Sequence, residues 1–198
     1  MIKNIEISSR KLKKMEPIIL ERHVTSTEGQ LYVYHHKDKW NSVDDLMKLY
    51  YCCEDKQYMA AKLNTISQLI QYNDLLDMPE LVLPKGLVTV DQNIAGFYMN
   101  YIENNVNMIT LLRSKNVKLE QKLKYLKNIY VLLNRLLSIP ELKNKFYLAD
   151  IHEGNFIFDT NDKIIKAVDL DSAYINKNYI AASKFLTFNK KLFNNPKY

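Results

Sequence analysis

Apolar positions recur along this chain with two different periods, and the change of period divides it. Residues 17–20 are apolar and residues 31–34 alternate in a β-branched and aromatic stretch, so strands are predicted there, with Gly29 marking a turn between them. From Ser42 the spacing becomes helical: Val43, Leu46, Met47 and Tyr50, then, after a charged interruption at 54–56, Met59, Leu63, Ile66, Leu69 and Ile70. Two consecutive helices are predicted. Short apolar runs return between Leu81 and Ile102 as LVLP, LVTV and IAGFYMNYI, broken at 84–86 and 91–93, which predicts three strands with tight turns. A short helix over Met108–Arg113 follows. The clearest amphipathic helix comes next, with Leu119, Leu123, Leu126, Ile129, Leu133, Leu136 and Leu137 on one stripe and Pro140 closing it. Residues 155–169 read as a hairpin, NFIF and KIIKAVDL around a turn at 159–162, and a last helix is predicted over 181–193 with Ala181, Phe185, Phe188 and Leu192 on one side.

A strand-rich first half with a helical insertion, a connector near Ile102, and a helical second half interrupted by a hairpin predict a two-lobed α+β protein. The division falls at 1–102 and 103–198. At 198 residues the chain can bury a real core, and 47% hydrophobic with 25% charged residues is ordinary for a globular protein. The formal charge of +6 could attract nucleic acid. Its lysines, however, are scattered along amphipathic segments and its aromatics fall at core spacings, so solvated faces are the better reading. Cys52 and Cys53 are adjacent, a geometry that does not favour a bridge, and no C-x-x-C spacing marks zinc. The first sixteen residues carry charges where a signal peptide needs an apolar core, and no run of about 18 apolar residues exists, so a cytoplasmic protein without a membrane span is expected.

The chemistry concentrates in FYLADIHEGNFIFDTNDKIIKAVDLDSAY. Asp150 precedes Asn155 by five residues in a loop. With a turn at 159–162, Phe158 faces Lys163 and Asn155 faces Lys166, so Asp169 lies about three residues, roughly 10 Å, beyond the position opposite Asn155. A carboxylate and an amide oxygen at one end of a hairpin suit Mg²⁺, which takes a few protein oxygens and fills its octahedron with water and phosphate. Asp150, just upstream, can orient a nucleophile and accept its proton.

At these residues the chain resembles the protein kinase-like superfamily, and within it the aminoglycoside and choline kinase branch with its D-x-H-x-x-N loop, reproduced by Asp150, His152 and Asn155. The resemblance implies a two-lobed fold with a small antiparallel-sheet N-lobe and a reduced, mainly helical C-lobe. It also implies ATP and Mg²⁺ as cofactors. Asp150 would be the catalytic base, Asn155 and Asp169 the metal ligands, and His152 a structural residue holding the loop. Asp171 would be a second metal ligand or simply a strand end. GFYMNYIE looks like the interlobe hinge, with Met99 guarding the back of the nucleotide pocket and Asn100 and Ile102 offering backbone groups to adenine.

The phosphate-gripping parts depart from the pattern. Gly29 alone stands for the glycine-rich loop. The position of the phosphate-binding lysine falls on Tyr34 or His36, so that Lys37, or Lys39, would serve with a shifted register, and Glu54 is the nearest candidate for its acidic partner. Only 27 residues follow Asp171, a short C-lobe whose exposed apolar face would favour a dimer or a partner protein. The leading expectation is a phosphotransferase acting on a hydroxyl of a protein or small molecule. The alternative is a degenerate kinase-like module that binds nucleotide or a partner without turnover, and a basic nucleic-acid binder has the least support.

Overall fold

Ten strands and four α-helices are laid out along residues 4–19, 28–36, 44–51, 55–143, 145–148 and 150–175, which the computed structural model describes. The first part holds β1 (Ile5–Ile7), α1 (Ser9–Leu12), β2 (Gly29–Tyr34), β3 (Asp45–Tyr50), α2 (Lys56–Gln71), β4 (Pro84–Val90) and β5 (Asn93–Asn100). The second holds β6 (Asn105–Asn107), α3 (Met108–Arg113), α4 (Leu119–Ser138), β7 (Phe146–Tyr147), β8 (Phe156–Asp159), β9 (Ile164–Ala167) and β10 (Tyr174–Ile175). The fold is α+β.

Five strands form one sheet in the order β1-β4-β5-β3-β2. Four of them pair antiparallel, while β1 joins β4 in parallel, so the sheet is mixed rather than antiparallel throughout. A short parallel edge suffices for β1 because it has only Ile5 and Ile7 to bury.

The stretch expected to open the first helix is instead strand β3. Apolar residues at 46, 47, 49 and 50 fit a helical stripe and a doubly buried strand equally well, and pairing with β2 on one side and β5 on the other decides for the strand. Alternation then sends Met47 and Leu49 to one face, packed with Ile5, Ile7, Val88 and Tyr98. Leu46, Lys48 and Tyr50 take the other, with Met59 and Ile66 of α2 and Phe97 and Met99 of β5. Each apolar side chain fully buried there contributes about 1.5–3 kcal/mol. The second expected helix is α2, capped by Asp55, whose carboxylate accepts the backbone N–H of Gln57 and Tyr58.

Of the three strands expected between 81 and 102, two form. Leu81 makes only an isolated parallel bridge to Ala167, and the turn expected at 84–86 lies inside β4 as a bulge. β4 and β5 are joined by Asp91 and Gln92, both at positive φ, the geometry of a tight two-residue hairpin loop. Gly29 begins β2 instead of turning: a Cβ there would sit 2.4 Å from the carbonyl oxygen of Leu49.

Helix α4 has the expected length, and its buried face is the expected one only in part: Leu136 is buried and Ile129 packs against the core, but the rest of the leucine stripe is turned away from it. Tyr125, Leu132 and Leu136 are buried, whereas Leu119, Leu123, Leu126 and Leu137 are exposed. The leucine stripe and the buried stripe share Leu136 and are centred about a quarter of a turn apart, and the core that includes Phe146, Phe156 and Ile165 takes the one carrying Tyr125. β6, β8 and β9 form a second sheet, and β10 pairs with β7. The helix expected over 181–193, the cysteines, and Lys39 and Glu54 lie outside the described residues. Among the described residues no helix is long and apolar enough to cross a membrane.

Candidate functional site

The loop from Asp150 to Asn155 is held by its own side chains. Asn155 donates through Nδ2 to the carbonyl oxygen of Asp150 at 2.9 Å and to its Oδ2 at 3.2 Å. His152 accepts the Gly154 N–H through Nδ1 at 3.0 Å, capping the single 3-10 turn Glu153–Asn155, while its Nε2 stands 3.6 Å from Asp150 Oδ2. These contacts are all within the loop itself. The Asp150 carboxylate is half exposed and open to an incoming group.

The hairpin brings Asp169 closer than its sequence suggested. Phe156 pairs with Ala167 and Phe158 with Ile165, and the carbonyl oxygen of Asn155 accepts the Val168 N–H at 2.9 Å. Asn155 therefore sits opposite Val168, not Lys166. The register differs because Asp159 is a strand residue and not part of the turn. Its carboxylate accepts the N–H of Asn161 and Asp162, and Lys163 closes the loop at φ 57°. Burial pushes the Asp159 carboxyl up, but Lys166 and those two N–H groups outweigh it and hold the group below the usual carboxylate range. Asp169 has φ 59° and ψ 45°, a left-handed conformation that costs a non-glycine residue about 1–3 kcal/mol and that clusters at functional sites. Asp150, Asn155, Val168, Asp169 and Ser172 line a shallow cleft that opens to solvent.

The cation that meets this hairpin is Lys48, at the centre of β3. Only 3% exposed, its ammonium pairs with Asp169, with Asp171 Oδ2 at 3.0 Å and with Glu28 Oε2 at 3.5 Å. Lys62 on α2 joins them, reaching Glu28 Oε2 at 2.8 Å, Asp171 Oδ1 at 3.3 Å and Ser172 Oγ at 2.8 Å. The Tyr50 hydroxyl donates to Asp171 Oδ2 at 2.6 Å. Two ammoniums thus share three carboxylates, and Asp171, with no exposed surface, lies at the centre.

The electrostatics follow from that arrangement. Burial works against the charge on Lys48, but Asp171, Asp169 and Glu28 outweigh it and raise the ammonium above the ordinary lysine range. Burial and Asp171 push the Tyr50 hydroxyl up. Burial also opposes ionisation of Asp171, yet Lys48, Lys62 and the Tyr50 hydroxyl lower it. Asp169 is raised to about 6 by burial and by Asp171, so on acidification it takes up a proton before Asp171 does.

The expected hinge residues end the neighbouring strand. Met99 is buried on β5, and Ile102 and Val168 pack against the same apolar cluster. Asn100 is exposed at the strand end, opposite Asp45, and the carbonyl oxygen of Ile102 accepts from Asn105 Nδ2. Lys37 lies outside the described residues. Of the two other positions considered for the lysine, Tyr34 pairs with Asp45 across the strands and His36 Nε2 lies 2.6 Å from the Asp45 carboxylate. Neither enters the cluster.

Lys48 and Lys62 went unrecognised in the sequence, though each left a sign. Lys48 interrupts DLMKLY, and Lys62 stands three residues after Met59 and four before Ile66, on the buried stripe of α2. A lysine whose ammonium stays buried in an apolar stripe needs carboxylates beside it. Compared with known proteins, the chain matches no protein-family model, and no curated protein matches it in sequence.

Proposed function

We propose that this chain is an ATP- and Mg²⁺-dependent phosphotransferase of two-lobed, kinase-like architecture, acting on a hydroxyl group. One observation carries the reading: the Lys48–Asp169 ion pair, spanning 121 residues, joins a strand-borne lysine to the hairpin next to Asp150 and Asn155. A lysine on a strand that precedes a helix, an acid and an amide for metal, and a loop aspartate are the parts phosphoryl transfer requires.

The donor set fits Mg²⁺. Asn155 spends its Nδ2 on Asp150, leaving Oδ1 to ligate, and Asp169 engages Lys48 through Oδ1, leaving Oδ2. Among the described residues no three histidine, cysteine or acidic side chains gather for a metal, so substrate and water oxygens would complete the shell. Bound there, the ion would neutralise charge on the phosphate oxygens. Lys48 would move from Asp169 to those oxygens, keeping Asp171 as its anchor. Asp150, oriented by Asn155, would accept the proton of the acceptor hydroxyl, a role worth about 10²–10⁴ in rate.

In the full chain, Mg²⁺-dependent ATP consumption or self-phosphorylation should fall at least 100-fold in Asp150→Ala while Mg·ATP still raises the melting temperature. Unchanged turnover in that variant rejects the assignment. Gly29 serves the β2–β3 pairing rather than phosphate, which favours a second reading, nucleotide binding without turnover. That reading requires the ATP-induced thermal shift with no consumption in the unsubstituted chain.

A further inference from the structure

Lys62 has no part in the mechanism above, and Asp171 enters it only as the anchor of Lys48. In kinase-like sites the strand lysine is held by a glutamate from the helix that follows it. Helix α2, which follows β3, presents the opposite charge at this point. Lys62 is 4% exposed, and α2 contains no acidic residue. The carboxylate that Lys48 needs comes instead from Asp171, two residues beyond Asp169.

We propose that Asp171 is the positioning residue for Lys48 and that Lys62 is the counter-cation that pairs with Asp171 from the helix side, a charge-reversed version of the strand–helix pair. The inference rests on the phosphotransferase reading for its kinetic consequence alone; the placement of Lys48 can be read without turnover.

The geometry assigns these roles. Asp171 has both oxygens engaged, Oδ2 by Lys48 and the Tyr50 hydroxyl, Oδ1 by Lys62. A fully buried carboxylate needs such complete engagement. Asp169 and Glu28, each about one third exposed, are the partners of Lys48 that water can replace. When Asp169 turns to a metal, Asp171 is the buried acid that still fixes the ammonium. Lys62 and Lys48 touch the same Glu28 oxygen, so their ammoniums are neighbours, and an acid at position 62 would face Lys48 directly.

The test compares Asp171→Asn, Lys62→Glu and the double variant Asp171→Asn/Lys62→Glu in the full chain. Amine-reactive labelling with mass spectrometry reads Lys48. Lys166, ion-paired to Asp159 and Asp162 on the hairpin, serves as the internal control. Asp171→Asn should raise labelling of Lys48 at least 10-fold and leave Lys166 unchanged. The double variant should return Lys48 to within about threefold of the unsubstituted chain. Lys62→Glu alone, which sets a second acid against Asp171, should melt below both. Under turnover, Asp171→Asn should raise the KM for ATP at least 10-fold, with partial rescue in the double variant. Labelling of Lys48 and Lys166 rising together marks general opening and overturns the proposal, as does a double variant no better than Asp171→Asn. If the unsubstituted chain consumes no ATP, the phosphotransferase reading fails while the labelling result still decides the role of Asp171.

Discussion

Replacing Lys48 by methionine removes the ammonium while keeping a long apolar side chain, so the loss measured is that of charge and not of packing. At 3.0 Å from Asp171 the ammonium contributes roughly 5 kcal/mol of direct attraction at an effective dielectric of about 20. Breaking a buried pair by removing one partner typically costs about 3–5 kcal/mol, because the other charge stays behind in the core. Here the survivor is not abandoned. Lys62 and Tyr50 still hold Asp171, and the partly exposed Asp169 and Glu28 regain water. The lower end, about 3 kcal/mol, is therefore the expected cost. For a domain of this length that lowers the melting temperature by roughly 6–12 °C. Thermal unfolding followed by circular dichroism measures it, with Lys85→Met as a control. Lys85 also reaches a buried carboxylate, Asp45, but is 41% exposed and should cost less than about 1 kcal/mol. A Lys48→Met protein melting within about 2 °C of the unsubstituted chain would refute the placement of Lys48 in a buried charge cluster.

Other outcomes follow from the same geometry. Gly96→Ala places a Cβ 1.9 Å from the backbone oxygen of Lys48, where neither strand can give way, and should cost about 3 kcal/mol or more in urea unfolding. On α4, Leu132→Ala should destabilise by about 2–5 kcal/mol and Leu123→Ala by no more than about 0.5, and equal losses would mean that the buried face is misassigned. The Asp159 carboxyl is held below its unfolded value, so its contribution is complete above about pH 4 and is lost as pH falls through the folded value. Asp159→Asn should accordingly be about 1–3 kcal/mol less stable at pH 7, with the gap closing only as pH falls below the ordinary carboxylate range; a gap independent of pH would show that the charge is not what matters.

The parts of the site that were legible in the sequence are the local ones. Asp150, Asn155 and Asp169 stand in a short, turn-rich segment where spacing alone limits the geometry, and the hairpin brings them to one cleft even though its register differs by two residues. Lys48 was hidden by an ambiguity of period. Leu46, Met47, Leu49 and Tyr50 suit a helix as well as a strand buried on both faces, and only pairing with Phe97 and its neighbours resolves it. Lys62 was hidden differently, since a lysine within a helical stripe ordinarily reaches solvent along its aliphatic stem. The rotated face of α4 reflects a choice between two apolar stripes, which depends on partners distant in sequence.

The β8–β9 hairpin is fastened at both ends. Near its open end, Ala167 exchanges backbone hydrogen bonds with Glu80 and Val82, and at its turn Thr160 donates through both its N–H and its hydroxyl to the carbonyl oxygen of Asn104. Mechanically it is an anvil clamped between the segments that enter β4 and leave β5. Asn155 and Asp169 then keep a constant separation while anything docks against them. The Asp150 loop inherits the same footing, because Asn155 at the hairpin's edge holds both the backbone carbonyl and the carboxylate of Asp150.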